Sequence, residues 1–473
     1  MFILFTNTVS QTSKVMAILL ALALVRGIIY ASIVPPWQAP DEPAHFERAK
    51  AAFNTIEWVG STEQPVWYDN IRDSLFTFRF WHYALPHQHP APDQPLNHYI
   101  QLYHEVYGGL YSSRVAYLII GLPIIMTSNQ PIVLQLYAMR LYTVLFGVLM
   151  VWLGYLLTKT IFPNDLFLSL GVPILITFTP QHTHLLSTVN NGNLAEVLAT
   201  VSLLLLVRGV MAGFSWSLGG VIIVVAIFAM WTKATTYFLI FPLIVIGSLY
   251  LLRYRRHWHW LLPLGFIIIS VVYYFIPTRL LVLIGWGWQH LMKSDLYMEP
   301  TYLSHIFRSF WAMPGWLHLR LNPFWYKIVL GFVGVGVGGL LIRLGRLAYQ
   351  KFRTTSDELP NHFVRRLVLV WQQQCSPQQQ RQLLALAILA LAILSAVSIQ
   401  IGWHIITGSM AYHQGRSIYP VIVPLYLFLL LGWQQVIPAS KQPLGLITLT
   451  TLFILFDGLV LFNYIIPFFH TSY

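Results

Sequence analysis

The chain has 473 residues, of which 56% are hydrophobic and only 9% charged. A soluble protein carries roughly 25% charged residues, so composition excludes a soluble globular enzyme. The single cysteine, Cys375, excludes an internal disulfide and a cysteine-based zinc cluster, and the net charge of +12 comes with no nucleic-acid motif.

Apolar stretches of about 20 residues recur along the sequence and mark transmembrane helices. Hydropathy predicts an all-α polytopic membrane protein with about 11 spans, forming a single transmembrane domain over 1–473. The spans are placed at 15–34, 131–157, 166–180, 195–213, 216–233, 235–252, 258–276, 327–347, 383–405, 417–437 and 443–466. The first, VMAILLALALVRGIIYASIV, is longer than a signal-peptide core and lacks a small-x-small site before Pro35, so it reads as a signal anchor. Residues 113–127 are apolar but short, and are read as interfacial or re-entrant.

Charge then orients the chain. With the N-terminus in the cytoplasm, fourteen of the 28 Lys and Arg fall on the cytoplasmic side, including RYRR at 253–256, against three acids, Asp165, Asp357 and Glu358. The first outer loop has the opposite balance, nine acids against four Lys and Arg within 35–112. The basicity is therefore a topological signal and calls for no anionic polymer as partner. Two outer segments are long, 35–130 and 277–326, the first and fourth outer loops. Both are rich in Trp, Tyr, His and Pro, a composition suited to short helices at the headgroup level. Residues 348–382 form the main cytoplasmic loop, basic and Gln-rich, with no chemistry evident.

The membrane exit of the first span reads PPWQAPDEPAHFERA. If DEPAHFER opens a helix, Asp41, His45 and Arg48 fall at i, i+4 and i+7 on one face, with Glu42 beside it. A carboxylate there can accept a proton from a hydroxyl nucleophile. The plain structural reading is a helix N-cap followed by Pro43. Basic residues at outer span ends, Lys233 in WTKATT and Arg279 in IPTR, either bind an anion or snorkel to the headgroups. Arg26 and Asp457 lie within spans, where ionisable groups mark function, an ion pair or a solvated cavity. Glu196 and Arg140 lie nearer the outer boundary. His82, His87, His89 and His98, with Asp93, are metal-ligating types, but their spacing matches no tight site.

The element P-D-E-x-x-H-F-x-R-A after an anchor span resembles the first outer loop of GT-C-type glycosyltransferases, multi-spanning enzymes that use polyprenyl-phosphate sugars. The nearest likeness is to a bacterial multi-pass branch of unknown function. QPLNHYI (94–100), RLYTVLFGVLMVWLGYLLTKTIFP (140–163), STVNNGNLAEVLATVSLLLL (187–206) and HQGRSIYPVIVP (413–424) resemble further family segments in the same order. Two departures are Gly192, where the family often has an acid that can help hold a metal, and Ser417, where it has Tyr, with Tyr419 two residues on. The resemblance implies inverting transfer of a sugar from a polyprenyl-phosphate donor to an acceptor hydroxyl of a glycan, lipid or protein, on the extracytoplasmic face of the cell membrane. It implies Asp41 or Glu42 as catalytic base; Arg416, Lys233 and Arg279 as donor phosphate ligands; and His45, Arg48, Tyr99, Asn190, Asn191 and Gln414 as substrate contacts. No cofactor is firmly expected and no metal ligand is assigned, though a divalent ion remains open. The rival readings are a transporter or flippase for lipid-linked glycans and a non-catalytic assembly protein. The chain carries neither a P-loop nor a dinucleotide fingerprint placed after a strand.

Overall fold

The computed structural model describes residues 8–53, 66–84, 114–253, 300–353, 376–407 and 414–470. Among them all regular structure is helical. In chain order the helices are α1 Thr8–Ile33, α2 Glu42–Phe53, α3 Val66–Thr77, α4 Phe80–Ala84, α5 Arg114–Ile120, α6 Leu122–Thr127, α7 Ile132–Ile161, α8 Leu166–Phe178, α9 Pro180–Leu186, α10 Asn191–Ala212, α11 Trp216–Thr232 and α12 Ile240–Arg253. Then follow α13 Tyr302–Trp311, α14 Pro323–Arg353, α15 Pro377–Thr407, α16 Ile422–Val436 and α17 Gln442–Val460. Short 3-10 turns at Ala234–Leu239 and Gly415–Val421 lead into α12 and α16.

Among the described residues, seven helical segments are long and apolar enough to cross a membrane: Thr12–Ile33, Ile132–Ile161, Asn191–Ala212, Pro323–Arg346, Pro377–Ile405, Gly415–Val436 and Ala439–His470. Three shorter apolar helices, Leu166–Phe178, Trp216–Thr232 and Ala234–Tyr250, fall where three more crossings are read from hydropathy. The expected span 258–276 lies outside the described residues. Residues 113–127 form no crossing helix: α5 and α6 break at Gly121, whose added Cβ would sit 2.8 Å from the Tyr117 carbonyl. The described part of the first outer loop consists of the hook at 35–41, helices α2 to α6 and short turns.

The core is built where α7 packs against α1, α8 and α10, and α10 against α11. α14 and α16 cross most closely. Gly336 and Gly339 of α14 meet Gly432 of α16 backbone to backbone, so that any side chain at Gly432 would collide with the Gly336 carbonyl. Small residues permit this approach, which in lipid supplies packing where no hydrophobic drive exists between helices. Large apolar side chains on the outer faces of α1, α14 and α17 are exposed, among them Val25, Leu341 and Leu455, as expected of lipid-facing surface.

The two ends of the bundle differ. One gathers the C-terminus of α1, the N-termini of α7 and α10, and the end of α11. The other gathers charged connections: Arg381 donates to the Met211 carbonyl, Gln382 to the Ile161 carbonyl, and Gln434 to Asp165.

Candidate functional site

Residues 34–41 join α1 to α2 by a buried hook. Trp37 and Asp41 take left-handed backbone conformations, φ 72° and 64°, which cost a non-glycine residue roughly 1–3 kcal/mol and persist only where the surroundings dictate them. The surroundings are explicit. Arg140 of α7 donates to the carbonyls of Ala31 (3.0 Å), Val34 (2.6 Å) and Pro35 (2.9 Å). The Trp37 indole donates to Ser74 Oγ at 2.8 Å, and the Trp316 indole to the Trp37 carbonyl at 3.0 Å.

Glu42 completes this anchor. Its Oε1 accepts from Arg140 Nε (2.8 Å) and the Val189 N–H (3.1 Å); its Oε2 accepts from Arg140 Nη2 (2.6 Å) and the Trp37 N–H (3.0 Å). Both side chains are fully buried. Four donors fill the accepting positions of a carboxylate, leaving none for a substrate proton. Glu42, expected as an alternative base, has these accepting positions occupied in the structure, and Arg140, seen in the sequence only as a boundary charge, is its partner.

Asp41, one residue earlier, points elsewhere. Its carboxylate does not cap α2. Oδ2 accepts from Arg416 Nη2 at 2.5 Å, with the Asp41 side chain 29% exposed. Burial alone would push this carboxyl up; the charge and hydrogen bond of Arg416, with His45 and Lys233 adding to them, together hold Asp41 below the usual carboxylate range. Arg416 also donates to the Pro40 carbonyl at 3.3 Å and, through Nε, to Gln414 Oε1. Gln414, expected as a substrate contact, therefore orients the guanidinium. Gly415 is required between them. Its N–H donates to Ser309 Oγ at 2.8 Å, and a Cβ there would lie 2.7 Å from the Ile306 carbonyl and overlap the Phe310 backbone.

Lys233 sits at the junction after α11, its Nζ 3.2 Å from Asn190 Oδ1. Asn190 is the N-cap of α10, accepting from the Gly192 N–H at 2.6 Å. Asn191 instead tethers the end of α11, donating to the Thr232 carbonyl at 3.2 Å. The absence of a side chain at Gly192 is what seats the lysine, because an added Cβ would lie 2.8 Å from Asn190 Oδ1 and 2.9 Å from Lys233 Nζ. Asn190, Gly192, Asn193, Glu196, Lys233, Thr235, Arg416 and Tyr419 line one narrow cleft with a volume of about 20 Å³.

α2 is polar in sequence, yet nine of its twelve residues are buried. Such burial demands polar partners, which Glu42, His45 and Lys50 find: His45 Nδ1 lies 2.7 Å from the Tyr117 hydroxyl and Lys50 Nζ 2.8 Å from Gln135 Oε1. Burial pushes the His45 imidazole down to about 3, so it is neutral at pH 7. Arg48 is half-buried on the same helix. Tyr99 and Arg279 lie outside the described residues, as do His87, His89, His98 and Asp93.

Two further buried pairs stand out: the His182 partner of Glu196 is not seen in the sequence, whereas Arg26 and Asp457 are, with an ion pair as one reading. His182 of α9 and Glu196 of α10 meet at 2.5 Å, with the His182 ring edge-on to Tyr419 at 5.0 Å. The signal was the one-turn spacing from Gly192 to Glu196, which puts both on the cleft side of α10. Within the membrane, Arg26 pairs with Asp457, whose Oδ1 also accepts from the Tyr30 hydroxyl at 2.8 Å. This is an ion pair of the kind that lets spans carry charge. Among the described residues no group of three or more His, Cys, Asp or Glu could hold a metal ion.

The helices and the polar cleft at one end of the bundle define a multi-pass integral membrane protein. The family model described as "Predicted membrane protein (DUF2142)" matches residues 24–425, a stretch that runs from α1 into α16 and holds Asp41, Glu196, Lys233 and Arg416. The chain belongs to this family. No curated protein matches the sequence.

Proposed function

We propose that this protein is a membrane glycosyltransferase of GT-C type with about eleven crossings, its N-terminus in the cytoplasm and its cleft at the extracytoplasmic face of the cell membrane. In this reading a polyprenyl-phosphate sugar enters from the bilayer. Arg416 and Lys233 take its phosphate, Arg416 through a planar fork suited to phosphate oxygens, and stabilise the negative charge that grows as the glycosidic bond breaks. Asp41 removes the proton from an acceptor hydroxyl attacking the anomeric carbon from the opposite side; the products are an inverted glycoside and polyprenyl phosphate. The acceptor is a glycan, lipid or protein hydroxyl.

The observation that carries this reading is the meeting, across 375 residues of sequence, of the Asp41 carboxylate and the Arg416 guanidinium, the latter lining a cleft together with the Lys233 side chain. A carboxylate backed by two cations at the membrane edge fits acid–base work beside an anionic leaving group. It fits alternating access less well, because the Glu42–Arg140 clamp fixes the hook instead of letting it move. The test is consumption of labelled polyprenyl-phosphate sugars by the purified protein in nanodiscs, with release of polyprenyl phosphate as readout. Wild type is expected to turn over one donor class and Arg416→Gln to lose at least a hundredfold. No turnover of any donor, with uptake or flipping of a lipid-linked glycan instead, would favour the transporter reading.

A further inference from the structure

The cleft has two chemically distinct walls. One presents the cations Lys233 and Arg416; the other, on α10, presents acceptors. Glu196 gives Oε1 to His182, while its Oε2 makes no hydrogen bond among the described residues and the side chain lines the cleft. Asn193 donates Nδ2 to the carbonyls of Leu185 (3.0 Å) and Thr188 (2.9 Å), which fixes the amide orientation and leaves Oδ1 as an acceptor. Glu196 and Asn193 are each 3% exposed as residues, yet Glu196 Oε2 and Asn193 Oδ1 are not among the buried polar atoms lacking a partner; they stay open to the cleft, where a ligand donor can reach them. Sugar hydroxyls are such donors. A carboxylate-bearing sugar would bring a second anion against Glu196.

We propose that Glu196, braced by His182, is the wall that reads the transferred group, and that the protein takes a neutral glycosyl phosphate, whose hydroxyls donate to Glu196 and Asn193, and rejects uronic-acid donors. This rests on the phosphate seat at Arg416 and Lys233 proposed above. A planar imidazole behind Oε1 holds the carboxylate in one rotamer, so Oε2 meets the ligand preorganised. Tyr419, edge-on to His182, fixes that ring in turn.

Equilibrium binding separates this from the catalytic reading, since it needs no turnover. The probes are citronellyl phosphate, its neutral hexosyl-phosphate derivatives (gluco, galacto and manno) and its glucuronyl-phosphate derivative, titrated against wild type, Glu196→Gln, His182→Gln and Arg416→Gln. For wild type, the best hexosyl probe should bind at least tenfold tighter than the bare phosphate and at least tenfold tighter than the glucuronyl probe. Glu196→Gln should leave the bare phosphate within twofold and weaken the hexosyl probe about tenfold to a hundredfold, the loss expected for a hydrogen bond to a charged group. His182→Gln should weaken the same probe by a smaller factor. The inference is overturned if wild type binds glucuronyl and hexosyl probes alike, or if Glu196→Gln weakens bare and hexosyl probes equally. Should a variant fail to fold, the wild-type comparison still decides. Failure of bare citronellyl phosphate to bind wild type, or binding indifferent to Arg416→Gln, would instead remove the phosphate seat and this proposal with it.

Discussion

Replacing Glu42 by Gln separates the two adjacent acids. The Glu42 and Arg140 side chains have no exposed surface, and the guanidinium makes five hydrogen bonds, two to Glu42, two to the hook carbonyls of Val34 and Pro35 and one to the Ala31 carbonyl at the end of α1. Breaking such a pair by removing one partner's charge costs about 3–5 kcal/mol, most of it the penalty for leaving the other charge buried and unmatched. Asp41, 29% exposed and sharing a partner that is 13% exposed, belongs nearer the surface regime, where a pair contributes about 0–1 kcal/mol. Equilibrium unfolding of detergent-solubilised protein in urea, followed by tryptophan fluorescence, should therefore rank Glu42→Gln as several kcal/mol worse than Asp41→Asn. The double variant Glu42→Gln/Arg140→Met removes both charges and should be less destabilised than the sum of its single variants. If Glu42→Gln unfolds at the same urea concentration as Asp41→Asn, Glu42 is not a clamp and becomes available for chemistry again.

Asp41→Asn should bind citronellyl phosphate about threefold to tenfold more tightly than wild type by fluorescence titration, because the carboxylate and the phosphate compete for Arg416; an unchanged dissociation constant would mean that they do not share it. Gly192→Ala should push Lys233 Nζ from its place beside Asn190 and weaken phosphate binding severalfold, while the unfolding free energy changes by about 1 kcal/mol or less. Gly415→Ala has no such outlet against the Phe310 backbone and should cost about 1–3 kcal/mol through overpacking. His45 has a folded-state pKa of about 3, below its unfolded value of about 6.5, so between these limits the unfolded chain binds more protons. Stability should fall as pH drops from about 6.5 toward 3, by up to about 1.4 kcal/mol per pH unit, and His45→Gln should flatten that slope in pH-dependent unfolding.

Hydropathy exposed the helices because spanning lipid requires runs of apolar residues whatever they pack against. It did not give lengths: α8 and α11 are 13 and 17 residues long, and local hydropathy does not distinguish a short helix from a full crossing. Asp41, Lys233 and Arg416 were legible because charge is rare in this chain and stands out at a span end. Their geometry was not, since Arg416 reaches Asp41 from 375 residues away. The division of labour between Asp41 and Glu42 was equally hidden. Alternation of direction at the start of a helix follows from backbone conformation, and the left-handed φ of Asp41 ends a hook whose carbonyls are held by Arg140 and Trp316, partners that no local pattern announces. His182 and Glu196 looked ordinary in sequence because a single buried imidazole and a single carboxylate acquire meaning only when α9 and α10 bring them together.

The most direct test of the central claim is the rate of polyprenyl phosphate release from a labelled polyprenyl-phosphate sugar by wild type, Asp41→Asn and Glu42→Gln at matched folded fraction. The account predicts that Asp41→Asn falls at least a hundredfold while Glu42→Gln, once corrected for its lower stability, keeps turnover within about tenfold of wild type. Equal rates for wild type and Asp41→Asn would contradict it.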